Sequence, residues 1–175
     1  MPDRSSDDDY TEYVTARLHT LHRLAFLLCG DSHRADDLVQ QTITNLYVHW
    51  SRASAASNLD AYVRTMLVRS FIDEKRRGWS RVRLFAETPQ QSVDLARPGP
   101  NVEDRQLLRD ALTRLPRRQQ AVLVLRFLCD MSVAETAEAL NCSEGNIKSQ
   151  TSHGLAAIRR VLGPHTLALL AGGTR

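Results

Sequence analysis

The chain has 175 residues, enough for one ordinary domain or two small ones. It is 42% hydrophobic and 25% charged, too apolar for general disorder, and no apolar run approaches the roughly 20 residues that cross a bilayer. The net charge of +3 is only mildly basic, so the distribution of charge along the chain carries more information than its total.

The opening MPDRSSDDDY is acidic and polar where a secretory leader needs a basic start and an apolar stretch. A cytoplasmic protein without membrane insertion is expected. Three helices follow from apolar residues at helical spacing. The first covers 10–29 with Val14, Leu18, Leu21, Ala25 and Leu28. The second covers 34–50 with Leu38, Ile43, Leu46, Tyr47 and Trp50. The third covers 59–77 with Leu59, Tyr62, Val63, Met66, Leu67 and Phe71, and should stop near Gly78. Gly30-Asp31-Ser32 separates the first two, and the polar, small-residue stretch 51–58 separates the last two.

Residues 86–101 (AETPQQSVDLARPGPN) hold three prolines and one glycine without helical or strand period, and read as a linker. A second helical set begins near Val102, with Leu107, Leu108, Ala111, Leu112 and Leu115 as one stripe. Pro116 stands where a new helix starts, and Ala121, Val122, Leu125 and Phe127-Leu128 continue in it. Nothing alternates with period two over a useful length. The fold class expected is all-α: two small helical domains joined by a flexible linker.

In 132–162, Ser132 before Glu135 has the capping-box pattern, and Val133, Thr136, Ala137 and Leu140 form the inward side of that helix. Asn141 suits a left-handed helix end, and Ser143 caps the next helix. Short helix, three-residue turn and longer helix make a helix-turn-helix, whose second helix can enter the DNA major groove. At about 100° per residue, Thr151, Leu155 and Ile158 fall near Ile147 as the buried stripe. Gly145, Asn146, Ser149, His153, Ala156 and Arg160 lie opposite, flanked by Lys148 and Gln150, and no acid follows Glu144 in the helix. That face suits bases and phosphates; an ordinary αα-hairpin with a neutral surface is the bland alternative.

Charge follows the same division. Residues 1–50 carry four Arg against eight acids, whereas residues 51–100 carry nine Lys and Arg against five. Arg64, Arg69, Lys75, Arg76, Arg77, Arg81 and Arg83 face only Asp73 and Glu74, with Phe71, Trp79 and Phe85 interleaved. Basic groups contact phosphates and aromatic rings receive unstacked bases, although a basic helix end also simply complements the helix dipole. Residues 151–175 add Arg159, Arg160 and Arg175 with no acid.

Cys29, Cys129 and Cys142 are odd in number and widely spaced, which suits packing better than disulfides or zinc. His19, His22, Cys29 and His33 could in principle gather a metal, but Leu18, Leu21, Leu24 and Leu28 around them make a core stripe the simpler account. No Walker loop, HExxH or GxSxG pattern is present, so no catalytic residue, metal or cofactor is expected.

Three segments together, RADDLVQQTITNLYVHW (34–50), NLDAYVRTMLVRSFIDEKRR (58–77) and LPRRQQAVLVLRFLCDMSVAETAEALNCSEGNIKSQTSHGLAAIRR (115–160), resemble the extracytoplasmic-function RNA polymerase sigma factors. The run SVAETAEAL…CSEGNIKSQTSHGL is most similar to the actinobacterial SigE-like branch. The resemblance implies a region-2 domain over 10–85, the linker 86–101, a region-4 domain over 102–163 and a tail, 164–175. It implies core RNA polymerase and promoter DNA as partners, and an anti-sigma factor as a possible third.

Residue by residue, the helix bearing Asp37, Leu38, Gln40, Thr42 and Asn45 matches the polymerase-binding segment. The loop 51–60 and the helix behind it match the part that opens the minus-ten element, with Arg69, Asp73, Arg76 and Arg77 in its signature. The helix 144–160 matches the reader of the minus-thirty-five element, presenting Glu144, Asn146, Lys148, Ser149, Gln150, His153 and Arg160. Four positions depart from the usual pattern: Gln41 for Glu, Ser70 for Asn, and Gln150 and His153 where Arg is common. A regulator that binds an operator without touching polymerase would share the helix-turn-helix but leave the first three helices unexplained.

Overall fold

The computed structural model describes residues 4–74 and 102–163, in which every regular element is helical and no strand occurs. The chain divides into two compact units, Met1–Gln90 and Gln91–Arg175. The linker 86–101, the tail 164–175, the expected stop at Gly78, Arg76, Arg77, Trp79 and Phe85 all lie outside the described residues.

The first unit contains α1 (Arg4–Cys29), α2 (Ser32–Val48), the short α3 (Trp50–Ser54) and α4 (Leu59–Asp73). Helix α1 begins well before residue 10. Its early turns are held from α2: the Tyr10 hydroxyl donates to the Ile43 carbonyl at 2.8 Å, and the Tyr47 hydroxyl donates to Asp7 Oδ1 at 3.2 Å. Gly30 turns the chain at φ 68°, a left-handed conformation that glycine adopts without steric cost. Asp31 then caps α2 by accepting the Arg34 N–H at 2.8 Å.

The stretch 51–58 is not the plain separator its small polar residues suggest. Trp50 starts a new helix because its ring, 8% exposed, packs edge-on against Tyr10 at 5.4 Å, and Ala53 one turn later is fully buried. Asn58 then caps α4, accepting the Ala61 N–H at 2.9 Å.

Helices α1, α2 and α4 each pack on the other two. Their core is Leu21, Leu24, Ala25 and Leu28 with Ala35, Leu38, Val39 and Leu46, closed by Val63, Leu67, Val68 and Phe71. Two residues expected in the inward stripes are not there: Leu18 is 45% and Tyr47 49% exposed. The buried stripe of α1 starts a turn later, at Leu21, and Tyr47 sits on the rim where its hydroxyl reaches Asp7. Phe71 is a core residue, 2% exposed, and so is not available to stack on a base.

The second unit contains α5 (Val102–Thr113), α6 (Arg117–Leu123), α7 (Val133–Ala139) and α8 (Glu144–Leu162). Pro116 precedes the first turn of α6, as expected. Helix α6 runs into a π-helical turn, Val124–Leu128, closed by the Cys129 N–H donating to the Val124 carbonyl at 3.0 Å. Ala121 to Leu125 are all buried, and α8 packs across α5, α6 and α7. Leu108, Ala111, Leu112 and Leu115 line this core, whereas Leu107, expected beside them, is 52% exposed.

Candidate nucleic-acid interface

Helices α7 and α8 are set by local chemistry. The Glu135 N–H donates to Ser132 Oγ at 3.1 Å, and the Ser132 N–H donates to Glu135 Oε2 at 2.6 Å, completing the capping box. That backbone donor, then the Ser132 hydroxyl, holds the Glu135 carboxyl below its ordinary pKa. Asn141 ends the helix at φ 49°, and the Cys142 N–H returns to the Ala137 carbonyl at 3.0 Å. Ser143 accepts the Asn146 N–H at 3.2 Å and starts α8. The chain therefore folds here as helix, tight turn and helix.

Helix α8 is seated through Ile147 and Ile158, both fully buried, and through Gly154. A Cβ at Gly154 would stand 3.0 Å from Leu123 Cδ1 and 3.2 Å from its Cγ, so glycine is what lets α8 lie close on α6. Sequence reasoning missed Gly154 although it falls within about 20° of Ile147 on the helical wheel. Thr151 and Leu155, assigned to that stripe, are half-buried at its edges, and the Thr151 hydroxyl donates to the Ile147 carbonyl at 2.7 Å.

Opposite this seat, Glu144, Asn146, Lys148, Ser149, His153 and Arg160 are exposed, and Gln150 is half-buried on the flank. Lys148 Nζ stands 3.8 Å from Glu144 Oε2, a loose surface pair of little energetic weight. The Arg160 Nε–H donates to the Ala156 carbonyl at 3.4 Å, which lays its side chain along the helix. Gly145 faces open space, with only Ser143 Oγ near a would-be Cβ, at 3.9 Å.

In the first unit, Asp37 and Gln40 are exposed on α2 and Asn45 is half-buried, its carbonyl accepting from His49 Nδ1 at 2.8 Å. Leu38 and Thr42, which the family resemblance placed with them, belong to the core: Leu38 is 5% exposed and Thr42 is buried. Asp37 instead shares a shallow cleft with Leu38, Gln41 and Glu74. Arg69 and Asp73 are both exposed on the last turns of α4.

Asp60, at the start of α4, is held by α1. Arg17 approaches Asp60 Oδ2 at 2.9 Å, and the Tyr13 hydroxyl donates to Oδ1 at 2.9 Å. Burial first, then this hydrogen bond and the Asp60 charge, raise the Tyr13 pKa well above that of a free tyrosine.

The histidines considered for a metal do not converge on one. His22 Nε2 meets Asp36 Oδ1 at 2.7 Å, His19 and His33 are exposed, and among the described residues no three His, Cys, Asp or Glu gather to hold an ion. Cys29 is buried, Cys129 and Cys142 are half-buried, and all three are free thiols. No described helix is long and apolar enough to cross a membrane.

Comparison with known proteins agrees with this division. Residues 13–81 match Sigma-70 region 2, and residues 105–158 match Sigma-70, region 4. The RNA polymerase sigma-E factor of Streptomyces avermitilis is 34% identical over 157 residues, covering 88% of this chain and 85% of that protein. The ECF RNA polymerase sigma factor SigM of Mycobacterium tuberculosis is 31% identical over 144 residues, covering 82% and 71%. The fold is shared with the sigma factor RpoE of Bartonella quintana, solved in complex with the anti-sigma factor NepR, at a TM-score of 0.68 and 24% identity over 89% of this chain and 98% of that one. With region 2 preceding region 4 and a third of its residues identical to a relative along most of both chains, the protein belongs to the extracytoplasmic-function RNA polymerase sigma factors.

Proposed function

We propose that this sigma factor docks on core RNA polymerase through the exposed face of α2, with Asp37, Gln40 and Asn45 in contact. Arg69 and Asp73 of α4, followed in sequence by Arg76 and Arg77, address the minus-ten element. The outer face of α8 reads the minus-thirty-five element. The working domains are residues 10–85 and 102–163, joined by the linker 86–101. One observation carries the assignment within the second unit: the face of α8 turned away from Ile147 and Ile158 is exposed, polar and free of acid after Glu144.

The chain supplies binding energy and no covalent chemistry. Opening a duplex costs about 1.4 kcal/mol per base-pair step, and capture of extruded bases offsets a few kcal/mol of that. Metal and nucleotide chemistry then belong to the polymerase, and the chain is not an enzyme. An operator-binding regulator is not favoured, because the region-2 match over 13–81 accounts for the first unit. A neighbour of the same fold was captured with an anti-sigma factor, which supports a partner of that class here; a chain that works on core polymerase acts in the cytoplasm.

Run-off transcription with core polymerase over a promoter library tests the reading. Defined transcripts that need both the chain and core are expected. Binding of operator DNA with no association to core would overturn it.

A further inference from the structure

Arg34 sits in the first turn of α2, where Asp31 accepts its N–H. Its guanidinium donates to Glu74 Oε2 at 3.0 Å, forty residues away. Glu74 is the C-cap of α4, its own N–H bound to the Ser70 carbonyl. A carboxylate at a helix C-terminus meets the negative end of the helix dipole, so this position calls for a cation, and α2 provides it. The pair is partly withdrawn from water, with the Arg34 side chain 35% and the Glu74 side chain 22% exposed.

The place of this pair matters more than its strength. Glu74 lines the same shallow cleft as Asp37 and Gln41, and the next three residues in sequence are Lys75, Arg76 and Arg77. One ion pair therefore ties the first turn of α2, ahead of the Asp37, Gln40 and Asn45 positions read as the polymerase contact, to Glu74, after which the basic minus-ten segment follows in sequence.

We propose that Arg34 is a positioning residue for promoter opening. Through Glu74 it fixes the end of α4 against α2, and so anchors the point from which the basic minus-ten segment continues in sequence. The inference rests on the functional reading above, and it adds a residue that touches neither DNA nor polymerase in that reading.

The test uses reconstituted holoenzyme and two measurements: affinity for core by fluorescence titration, and open-complex formation by permanganate reactivity. Arg34→Glu and Glu74→Arg should each lower opening about fivefold or more, as expected for a partly shielded ion pair turned into a like-charge contact. Core affinity should stay within about twofold for Arg34→Glu on the same reasoning. The double variant Arg34→Glu, Glu74→Arg should recover most of the opening, which a general loss of stability would not do. Should either reversal fail to fold by circular dichroism, Arg34→Gln replaces it with the same two readouts expected.

Three results would overturn the proposal: core affinity and opening falling in parallel, opening unchanged in the single variants, or a double variant no better than the worse single one. A wild-type chain that binds core yet opens no promoter would instead sink the functional reading itself. The wild-type control thus separates the two failures.

Discussion

Gly154 shows how a single residue sets the seat of α8. Glycine inside a helix costs about 0.5–1 kcal/mol relative to alanine, so its presence in α8 needs a compensating gain. The gain is close packing on Leu123, which is fully buried and has little room to yield. Gly154→Val should therefore destabilise the chain by about 1–3 kcal/mol in urea denaturation. Paired with Leu123→Ala it should lose less than the sum of the two single changes, since both act on one contact. Tyr13 gives a second test, by pH. Its pKa is raised in the folded state by burial and by the Asp60 contact, while the unfolded chain titrates at about 10. The stability it contributes is fully present below that ordinary value and is lost as pH rises through the folded one. The urea midpoint should fall with pH in the alkaline range, and Tyr13→Phe should flatten the fall in part. Tyr10 and Tyr47, raised in the same direction, retain the remainder. An unchanged slope in Tyr13→Phe would show that neither burial nor the Asp60 contact couples Tyr13 to stability. At this scale the sequence was legible where a rule concerns one helix: Ile147 and Ile158 follow from periodicity alone. Leu18, Tyr47 and Leu107 do not, because the width of a buried stripe is decided by the partner helices.

At the scale of elements, the caps were readable and the interruptions were not. Ser132 with Glu135, Asn141 and Ser143 act over three or four residues, so their side-chain chemistry alone announces a helix end, whereas Asp31 and Asn58, read only as parts of separators, prove to be caps as well. The π-helical turn after Leu123 and the short helix at Trp50 answer instead to distant partners. Trp50 is fixed by Tyr10 and Tyr13, and both come from α1. The separation of roles along α8 can be tested within the proposed reading. Gln150, proposed to pair with a base edge, is flanking and half-buried, whereas Arg160 is exposed near the end of the helix with its guanidinium drawn toward the Ala156 carbonyl. A bidentate contact from Gln to adenine is worth about 1–3 kcal/mol of discrimination, and a phosphate contact carries no sequence information. Gln150→Ala should relax preference at one position of the upstream element. Arg160→Ala should weaken all promoters alike and reduce the salt slope by about one. Competition between singly varied promoters, using holoenzyme at two salt concentrations, reads both effects. Equal weakening of every promoter by Gln150→Ala would make it a positioning residue and refute the assignment of base reading.

Over the whole molecule, charge and division decide how the chain finds DNA. The formal charge is only +3, and the first fifty residues are net acidic, so long-range attraction to a polyanion is weak. Basic residues outnumber acids most clearly in the sequence around Arg69 to Arg83 and at the end of α8, which belong to different units of the fold. Binding a promoter with both requires two small bodies to be ordered on DNA at once, and the entropy of that ordering opposes association. Exchange of Arg for Gln150 and His153, relative to the common family pattern, removes two phosphate-directed charges from the reading helix as well. Core polymerase, by holding both units, should remove much of this cost before DNA is met. The free chain is therefore expected to bind promoter duplex weakly, with a Kd above about 1 μM at physiological salt, in the range of non-specific protein–DNA contacts. The same promoter should be bound far more tightly by holoenzyme. Fluorescence anisotropy with a labelled promoter, titrated with the chain alone and then with holoenzyme, compares the two states directly. Sub-micromolar, sequence-specific binding by the free chain would mean that the two units are already held in register without polymerase, and that the dispersal of charge is no barrier.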